Sequence, residues 1–331
     1  MVFVEMTSVV AKVGGSNTNV VERVPVSCEG LSNLHRSHNS ELSNVAARRD
    51  LPRLMAVDSK EVRPMLLSWQ TALKMAAALI AIAVSSTRVR HRWTPAFVAT
   101  AKELSLVLGL YALWQYAHDL AVNKTAGAME HAMWLWNLER SMHLPSELSL
   151  QRALIDHKLV MQFLNVYYGG MHVPAVGILL IWLFFRHRER YSRVRTSLAL
   201  MIAGCLTIQM IPMAPPRFLT DLGFVDAGLR YGLSVYGRGG SGMSNQLAAM
   251  PSQHVGWALV VGFAAVTIST SKWRWLVLLH PALTILSVTA TANHWWLDGV
   301  VAGMVLAVAY GAQRGVAAIQ ARLRSHVAAL Q

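Results

Sequence analysis

The amino-acid sequence predicts an all-α protein whose helices form a polytopic bundle in a membrane. Of its 331 residues, 54% are hydrophobic and only 14% are charged, a balance that is rare in a water-soluble domain of this length. The apolar residues fall into runs that are long enough to cross a bilayer as helices, and basic residues cluster between them. We expect six core membrane-crossing helices, with a possible seventh at residues 65–86.

The net charge of +13 does not indicate a nucleic-acid partner. Its basic residues lie in short clusters between apolar runs, as they do in the cytoplasmic loops of membrane proteins. The two cysteines, Cys28 and Cys205, lie in a polar segment and in an apolar run, which argues against a disulfide framework. We therefore expect no nucleic acid among the partners of this chain.

The chain before the core bundle divides into two segments. Residues 1–62 mix Ser, Asn, Gly and charges of both signs without periodicity, which predicts a mostly disordered tail. Residues 63–95 hold an apolar run, Met65 to Ser86, and then a basic loop. Because Lys74 lies in the middle of this run, a membrane span and a helix in the membrane interface both remain open.

The membrane domain is expected over residues 96–318, and it begins with an apolar run up to about residue 120. Residues 126–157 are amphipathic and are interrupted by Pro145, which predicts two short helices on the membrane surface. The next run, Leu159 to Phe185, ends in an arginine-rich segment that contains Arg186, Arg188, Arg190, Arg193 and Arg195. This segment is therefore expected in the cytoplasm.

The direction of the remaining spans follows by alternation from that cytoplasmic loop. The expected spans are 197–213 outward, 251–270 inward, 275–292 outward and 297–312 inward, followed by a cytoplasmic tail at 319–331. Arg217, His254 and His294 then share the extracytoplasmic face. Trp295 and Trp296, beside His294, are interpreted as interfacial anchors.

Two stretches at these helix ends carry candidate chemistry. Pro251 and Ser252 predict a helix start, because Pro suits a first turn and Ser caps exposed N–H groups. His254 then lies in the first turn, where amides and the helix dipole favour an anion. His294 and Asp298 are four residues apart, so that they would share one helical face.

Three motifs occur in order along the chain: Ala214-Pro215-Pro216-Arg217, Ala249-Met250-Pro251-Ser252-Gln253-His254, and His294 with Asp298. This order resembles the type 2 phosphatidic acid phosphatase (PAP2) superfamily, and in particular its inositol phosphorylceramide synthases and their bacterial relatives. The resemblance covers about residues 100–315. It implies that His294 attacks phosphorus, that Asp298 holds the other ring nitrogen, and that His254 is the general acid.

The resemblance also implies a site for the phosphate oxygens, formed by Arg217 and the amides around Ser252, without a metal or other cofactor. Two cations of the phosphatases are replaced here. The lysine seven residues before the first-motif arginine is Met210, and the arginine six residues before the third-motif histidine is Val288. Arg238, in a glycine-rich loop, is a further candidate for phosphate binding.

The implied activity is that of a membrane-embedded lipid phosphotransferase or phosphatase that forms a phosphohistidine at the extracytoplasmic face of the plasma membrane. The donor would be a phospholipid or a prenyl phosphate, and the acceptor an alcohol, a lipid or water. The two replaced cations favour the transferase. A prenyl diphosphate-processing enzyme (phosphatase or terpene synthase) on the same fold, and a catalytically inactive membrane scaffold, are the alternatives.

Overall fold

The computed structural model describes residues 67–88, 91–122, 125–231 and 246–329. These ranges are helical, and within them the chain forms no strand beyond an isolated bridge between Met213 and Ala248. The predicted all-α class is therefore confirmed. The predicted tail at residues 1–62 and the candidate Arg238 lie outside the described residues.

The helices follow the predicted order along the chain. They are α1 Trp69–Ser86, α2 Thr94–Val122, α3 Ala128–Ser141, α4 Glu147–Leu154, α5 Lys158–Gly170, α6 His172–Arg186, α7 Arg188–Ile208, α8 Ala227–Tyr231, α9 Gln253–Ile268, α10 Leu279–Ala290 and α11 Trp296–Ala329. A 3₁₀ segment, Lys272–Leu278, leads directly into α10. The amphipathic region forms the two short helices α3 and α4, which separate around Pro145 as expected.

Four segments of the described chain are long and apolar enough to cross a membrane, so the protein is an integral membrane protein. They are Trp69–Ser86, Thr94–Ala117, Lys272–Ala290 and Trp296–His326. A fifth crossing results if α5 and α6 together form one span. Helix α9 is apolar but shorter, and α7 begins with the arginine-rich segment. The count of six core spans therefore stays a prediction.

The apolar run expected as one span at 159–185 is two helices that meet at a bend of 48°. Gly169 and Gly170 end α5, and Pro174 lies in the first turn of α6. Glycine weakens a helix and proline removes a backbone donor, so both residues favour a break at this point. The break brings Tyr168 and His172, each 2% exposed, into the interior.

Within the part of the chain that the structure describes, a large apolar core joins α6, α7, α9 and α11. Its buried members include Leu183, Met201, Val260 and Leu306. Helix α10 packs against α5, α4 and α9. The starts of α9 and α11 carry the candidate site. They face the α5–α6 break, where the ring of Tyr168 lies 4.5 Å from that of His254 and 6.3 Å from that of His294.

The α7–α11 contact leads to a stability prediction at Gly204. A Cβ at this position would lie 2.7 Å from Val305 Cγ1, and the branched valine side chain is stiff. Gly204→Ala should therefore lower the free energy of unfolding by about 1–3 kcal/mol, as overpacking of a core does. Thermal unfolding in detergent measures this change.

Gly177→Ala is the matched control, because a Cβ at Gly177 meets nothing within 4 Å. The cost of Gly204→Ala should also shrink when Val305 is already alanine. Equal unfolding temperatures for Gly204→Ala and Gly177→Ala would contradict the proposed clash.

Candidate active site

His294 and Asp298 meet at the start of α11. His294 lies two residues before this helix begins at Trp296, so the two residues do not share a helical face as predicted. They meet because the Asp298 carboxylate turns back over the helix start. Its Oδ2 lies 3.1 Å from His294 Nδ1 and accepts from the Trp295 amide at 2.9 Å. Asp298 is therefore both the partner of His294 and a cap of α11.

The hydrogen bonds of His294 define its tautomer. Nδ1 faces two acceptors, Asp298 Oδ2 and, at 2.8 Å, the carbonyl oxygen of Ala249. Because both partners accept, Nδ1 carries the proton. The lone pair of the neutral ring is then on Nε2, which makes Nε2 the nucleophilic nitrogen of this residue.

His254 lies beside His294, on the first turn of α9. Ser252 caps this helix, because its hydroxyl accepts from the Val255 amide at 3.4 Å. The imidazole centroids of His254 and His294 are 5.9 Å apart. The ring of Tyr168 lies against both, at 4.5 Å from His254 and 6.3 Å from His294. The structure thus brings together the two histidines that the sequence separates by 40 residues.

His172 is a fourth member of this cluster of rings, and the sequence reasoning missed it. Its ring centroid is 4.9 Å from that of His254. Its Nδ1 lies 3.1 Å from the Tyr168 carbonyl oxygen and its Nε2 lies 3.2 Å from Thr284 Oγ1. An ionisable side chain inside an apolar run is itself a sign of function, and this signal in the sequence could have identified His172. His280 bonds Tyr167, with 2.5 Å between Nδ1 and the hydroxyl oxygen.

Arg217 is buried, at 2% exposure, and contacts the residue that precedes His294. Its Nη1 donates to Asn293 Oδ1 at 2.6 Å, its Nε lies 3.3 Å from Asp226 Oδ2, and its amide donates to the Ala292 carbonyl. Asn293 directly precedes His294 in the chain. The guanidinium is therefore held next to the predicted nucleophile by contacts on two of its nitrogens.

Ser252 links the two helix starts. Its amide donates to the Asp298 carbonyl oxygen at 3.1 Å, while its hydroxyl caps α9. The amide of Ser252 is thus used within the protein and its hydroxyl oxygen accepts from α9, and a role in phosphate binding stays a prediction. The same holds for Arg238, which lies outside the described residues.

Val288, which stands where the phosphatases have an arginine, belongs to the core. Its side chain is 2% exposed and packs with Tyr168 and Val255. Its carbonyl oxygen accepts from the amides of Asn293 and His294. This position therefore shapes the turn before His294 and does not supply a charge.

Two buried glutamates, one on α3 and one on α4, contact backbone amides at the start of α11. Glu139 Oε1 accepts from the Leu297 amide at 2.8 Å, and Glu147 Oε1 lies 3.5 Å from the Trp296 amide. Both side chains are 0% exposed. Burial and a hydrogen bond to Glu147 raise the pKa of Glu139 to about 9. The sequence placed both residues on helices at the membrane surface, so their burial was not predicted.

Trp295 also departs from the sequence interpretation, because it is not an interfacial anchor. It is 1% exposed, and its indole N–H donates to the Ala214 carbonyl oxygen at 3.1 Å. Trp295 thereby joins the first motif to the third. Trp296 differs from Trp295 in this respect. Its indole N–H donates to the Pro145 carbonyl oxygen at an exposed position.

Among the described residues, no three His, Cys, Asp or Glu side chains are arranged to hold a metal ion. The expectation that the chemistry needs no metal or cofactor stays a prediction.

Comparison with known proteins identifies one family. A family model described as the PAP2 superfamily matches residues 133–312, which is more than half of the chain. No curated protein and no solved structure matches the chain. The matched range contains all three motifs, the α5–α6 break and both buried glutamates.

Asn293→Ala should destabilise the protein, because it removes one acceptor of a buried guanidinium. The loss of a hydrogen bond to a charged group costs about 1.5–3 kcal/mol, which thermal unfolding in detergent would detect. Asn293→Asp keeps an acceptor for Arg217 and is the matched variant. If both variants unfold at the same temperature as the wild type, the Arg217–Asn293 contact does not stabilise the fold.

Proposed function

The chain belongs to the PAP2 superfamily, and from this premise we propose that it is a membrane-embedded lipid phosphotransferase or phosphatase that works through a phosphohistidine. Within the superfamily we place it with the inositol phosphorylceramide synthase-like enzymes. It transfers a phosphoryl group, or a phosphate with its headgroup, between a lipid and an alcohol.

One observation carries the proposal: His294 Nδ1 is bound by two acceptors while a second histidine lies 5.9 Å away, centroid to centroid. A histidine in this tautomer presents a nucleophilic Nε2. The second histidine is close enough to exchange a proton with an oxygen that leaves the same phosphorus atom. Neither histidine performs this chemistry alone.

In the first step, His294 Nε2 attacks phosphorus and the bond from phosphorus to the leaving oxygen breaks. His254, protonated at the start, donates its proton to that oxygen, so the product is a neutral alcohol. The phosphohistidine retains the Nδ1 proton, and Asp298 stabilises the positive ring. Arg217 offsets negative charge on the phosphate oxygens.

In the second step, neutral His254 takes a proton from the acceptor hydroxyl. The acceptor oxygen attacks phosphorus, and the bond from phosphorus to His294 Nε2 breaks. Both histidines return to their starting protonation states. Water as acceptor releases phosphate or a phosphorylated headgroup, and a lipid hydroxyl yields a new phospholipid.

The location of the site supports a reaction at the membrane boundary. His254 and His294 lie at helix ends, opposite in the predicted topology to the arginine-rich segment at 186–195. The positive-inside rule therefore supports our proposal that the reaction takes place at the extracytoplasmic face. We propose the plasma membrane as its location.

His294→Gln and His254→Gln should be distinguishable with donors that differ in their leaving group. With a lipid phosphate as donor, both variants should lose at least about 10²-fold in turnover, the usual scale of acid–base catalysis. The aryloxide of an aryl phosphate leaves phosphorus without needing a proton from an acid. An aryl phosphate should therefore restore the first step in His254→Gln but not in His294→Gln. Release of the aryl alcohol from membrane vesicles measures this step.

The exposed His157 supplies the control, as His157→Gln should match the wild type with both donors. Acid-labile label on the protein should accumulate in His254→Gln with a labelled aryl phosphate. Equal aryl phosphate turnover by His294→Gln and the wild type would exclude His294 as the nucleophile.

The acceptor can be identified with phosphatidylinositol and ceramide in vesicles that contain the purified protein. A transferase should form a new inositol phosphorylceramide product, detected by mass spectrometry, that His294→Gln does not form. Release of headgroup phosphate without a new phosphodiester would assign the protein as a phosphatase. A hydrocarbon released from a prenyl diphosphate would favour the terpene synthase alternative.

A further inference from the structure

The start of α11 is held by an unusual number of buried acids. The amides of a first helical turn lack partners within the helix, and here three carboxyl groups take them: Asp298 for Trp295, Glu147 for Trp296 and Glu139 for Leu297. All three side chains are 0% exposed. The same turn fixes Asp298 against His294, so any shift of the turn moves the nucleophile.

If all three carboxyl groups at the start of α11 were ionised, their negative charge would exceed what the neighbouring groups neutralise. The helix dipole favours negative charge here, and Arg140 Nη2 lies 3.0 Å from Glu147 Oε2 and 3.8 Å from Glu139 Oε2. One cation and a helix end do not offset three buried carboxylates, because an uncompensated buried charge is very costly. One of the acids is therefore expected to be neutral.

The surroundings identify Glu139 as the neutral acid. Asp298 also has one oxygen, Oδ1, without a hydrogen-bond partner among the described residues, but its Oδ2 accepts from both the His294 ring and the Trp295 amide, as a carboxylate does. Both oxygens of Glu147 have N–H partners, on Arg140 and on Trp296. Glu139 Oε1 accepts from Leu297, but no donor among the described residues bonds Glu139 Oε2, and Glu147 lies within hydrogen-bonding reach. A proton on Oε2 satisfies that oxygen, since it can be donated to the Glu147 carboxylate.

We propose that Glu139 and Glu147 are positioning residues: they form a carboxyl–carboxylate pair with one shared proton that holds the start of α11 and thereby sets Asp298 and His294. Neither residue touches the reacting atoms. The charged and titratable groups that face Glu139 are Arg140 on α3, Glu147 on α4 and Asp298 on α11, and Asp298 connects to His294.

The pH dependence follows from the proton that the pair retains. Burial, which acts first, and the hydrogen bond to Glu147 raise the pKa of Glu139 from 4.5 to about 9. The folded protein keeps this proton while the unfolded chain loses it, so the contribution of Glu139 to stability is full below pH 4.5. It declines as the pH rises and is lost by about pH 9.

Glu139→Gln tests the pair, because the amide imitates a protonated carboxyl: its oxygen accepts from Leu297 and its NH₂ donates to Glu147. The unfolding temperature of the purified full-length protein, measured in detergent from pH 5 to 10, should fall less steeply with pH in Glu139→Gln than in the wild type. The two curves should converge near pH 5. Glu130→Gln, an exposed position on the same helix, should follow the wild type.

The activity measurement rests on the proposed function. With an aryl phosphate, wild-type kcat should decline above about pH 9 while Glu139→Gln retains activity to higher pH. Glu139→Ala should lose about 10- to 100-fold in kcat at unchanged KM, the effect of misplacing a catalytic group by about 1 Å. Glu139→Gln should recover most of that loss at pH 7.

The two measurements separate the two claims. Parallel unfolding curves for the wild type and Glu139→Gln would overturn the shared proton, and a full kcat in a folded Glu139→Ala would overturn the positioning role. Wild-type protein without activity on any phosphoester would contradict the proposed function. In that case the unfolding curves still decide whether the pair holds α11.

Discussion

The Asp298 carboxylate makes the contact on which the rest of the site depends. It is fully buried, it accepts from the Trp295 amide, and it contacts His294 Nδ1, while its backbone carbonyl accepts from the Ser252 amide. One residue therefore caps the last helix, orients the imidazole and joins that helix to the start of α9. In an apolar bundle, unsatisfied polar groups are costly, so the site is built where helix ends supply donors and acceptors to one another.

The same constraint explains the polar residues around the histidines. Arg217 is held by Asn293 and Asp226, and His172 by the Tyr168 carbonyl and Thr284. Arg217 and His172 are both buried with polar partners beside them, and of these partners Asp226 is itself partly exposed. The polar groups therefore form a connected cluster around the two histidines, while the helices α6, α7, α9 and α11 pack through apolar side chains further along.

The amphipathic helices α3 and α4 support the start of α11. Their glutamates reach into the bundle and bind the first amides of α11, and the indole of Trp296 bonds the Pro145 carbonyl between them. The segment before the first motif thus supports the segment that carries the third motif. A helix that lies across the ends of a bundle can do this because it presents its polar inner face to exposed helix termini.

Composition and periodicity by themselves determined that this chain is an all-α membrane protein, and the order of three short motifs indicated its family. Proline, serine and the spacing of apolar residues also predicted the start of α9 and the two helices around Pro145, since these features depend on local backbone chemistry. Only the tertiary structure decided which polar residues meet. Glu139, Glu147 and His172 look like surface or core residues in sequence, and they lie at the site because the α5–α6 bend and the packing of α3 and α4 bring them there. The contact of His294 with Asp298 was predicted from a shared helical face. It arises instead because His294 precedes α11 and the Asp298 carboxylate, in the first turn of α11, turns back toward it. Long-range packing sets such contacts, and no local pattern in the sequence encodes them.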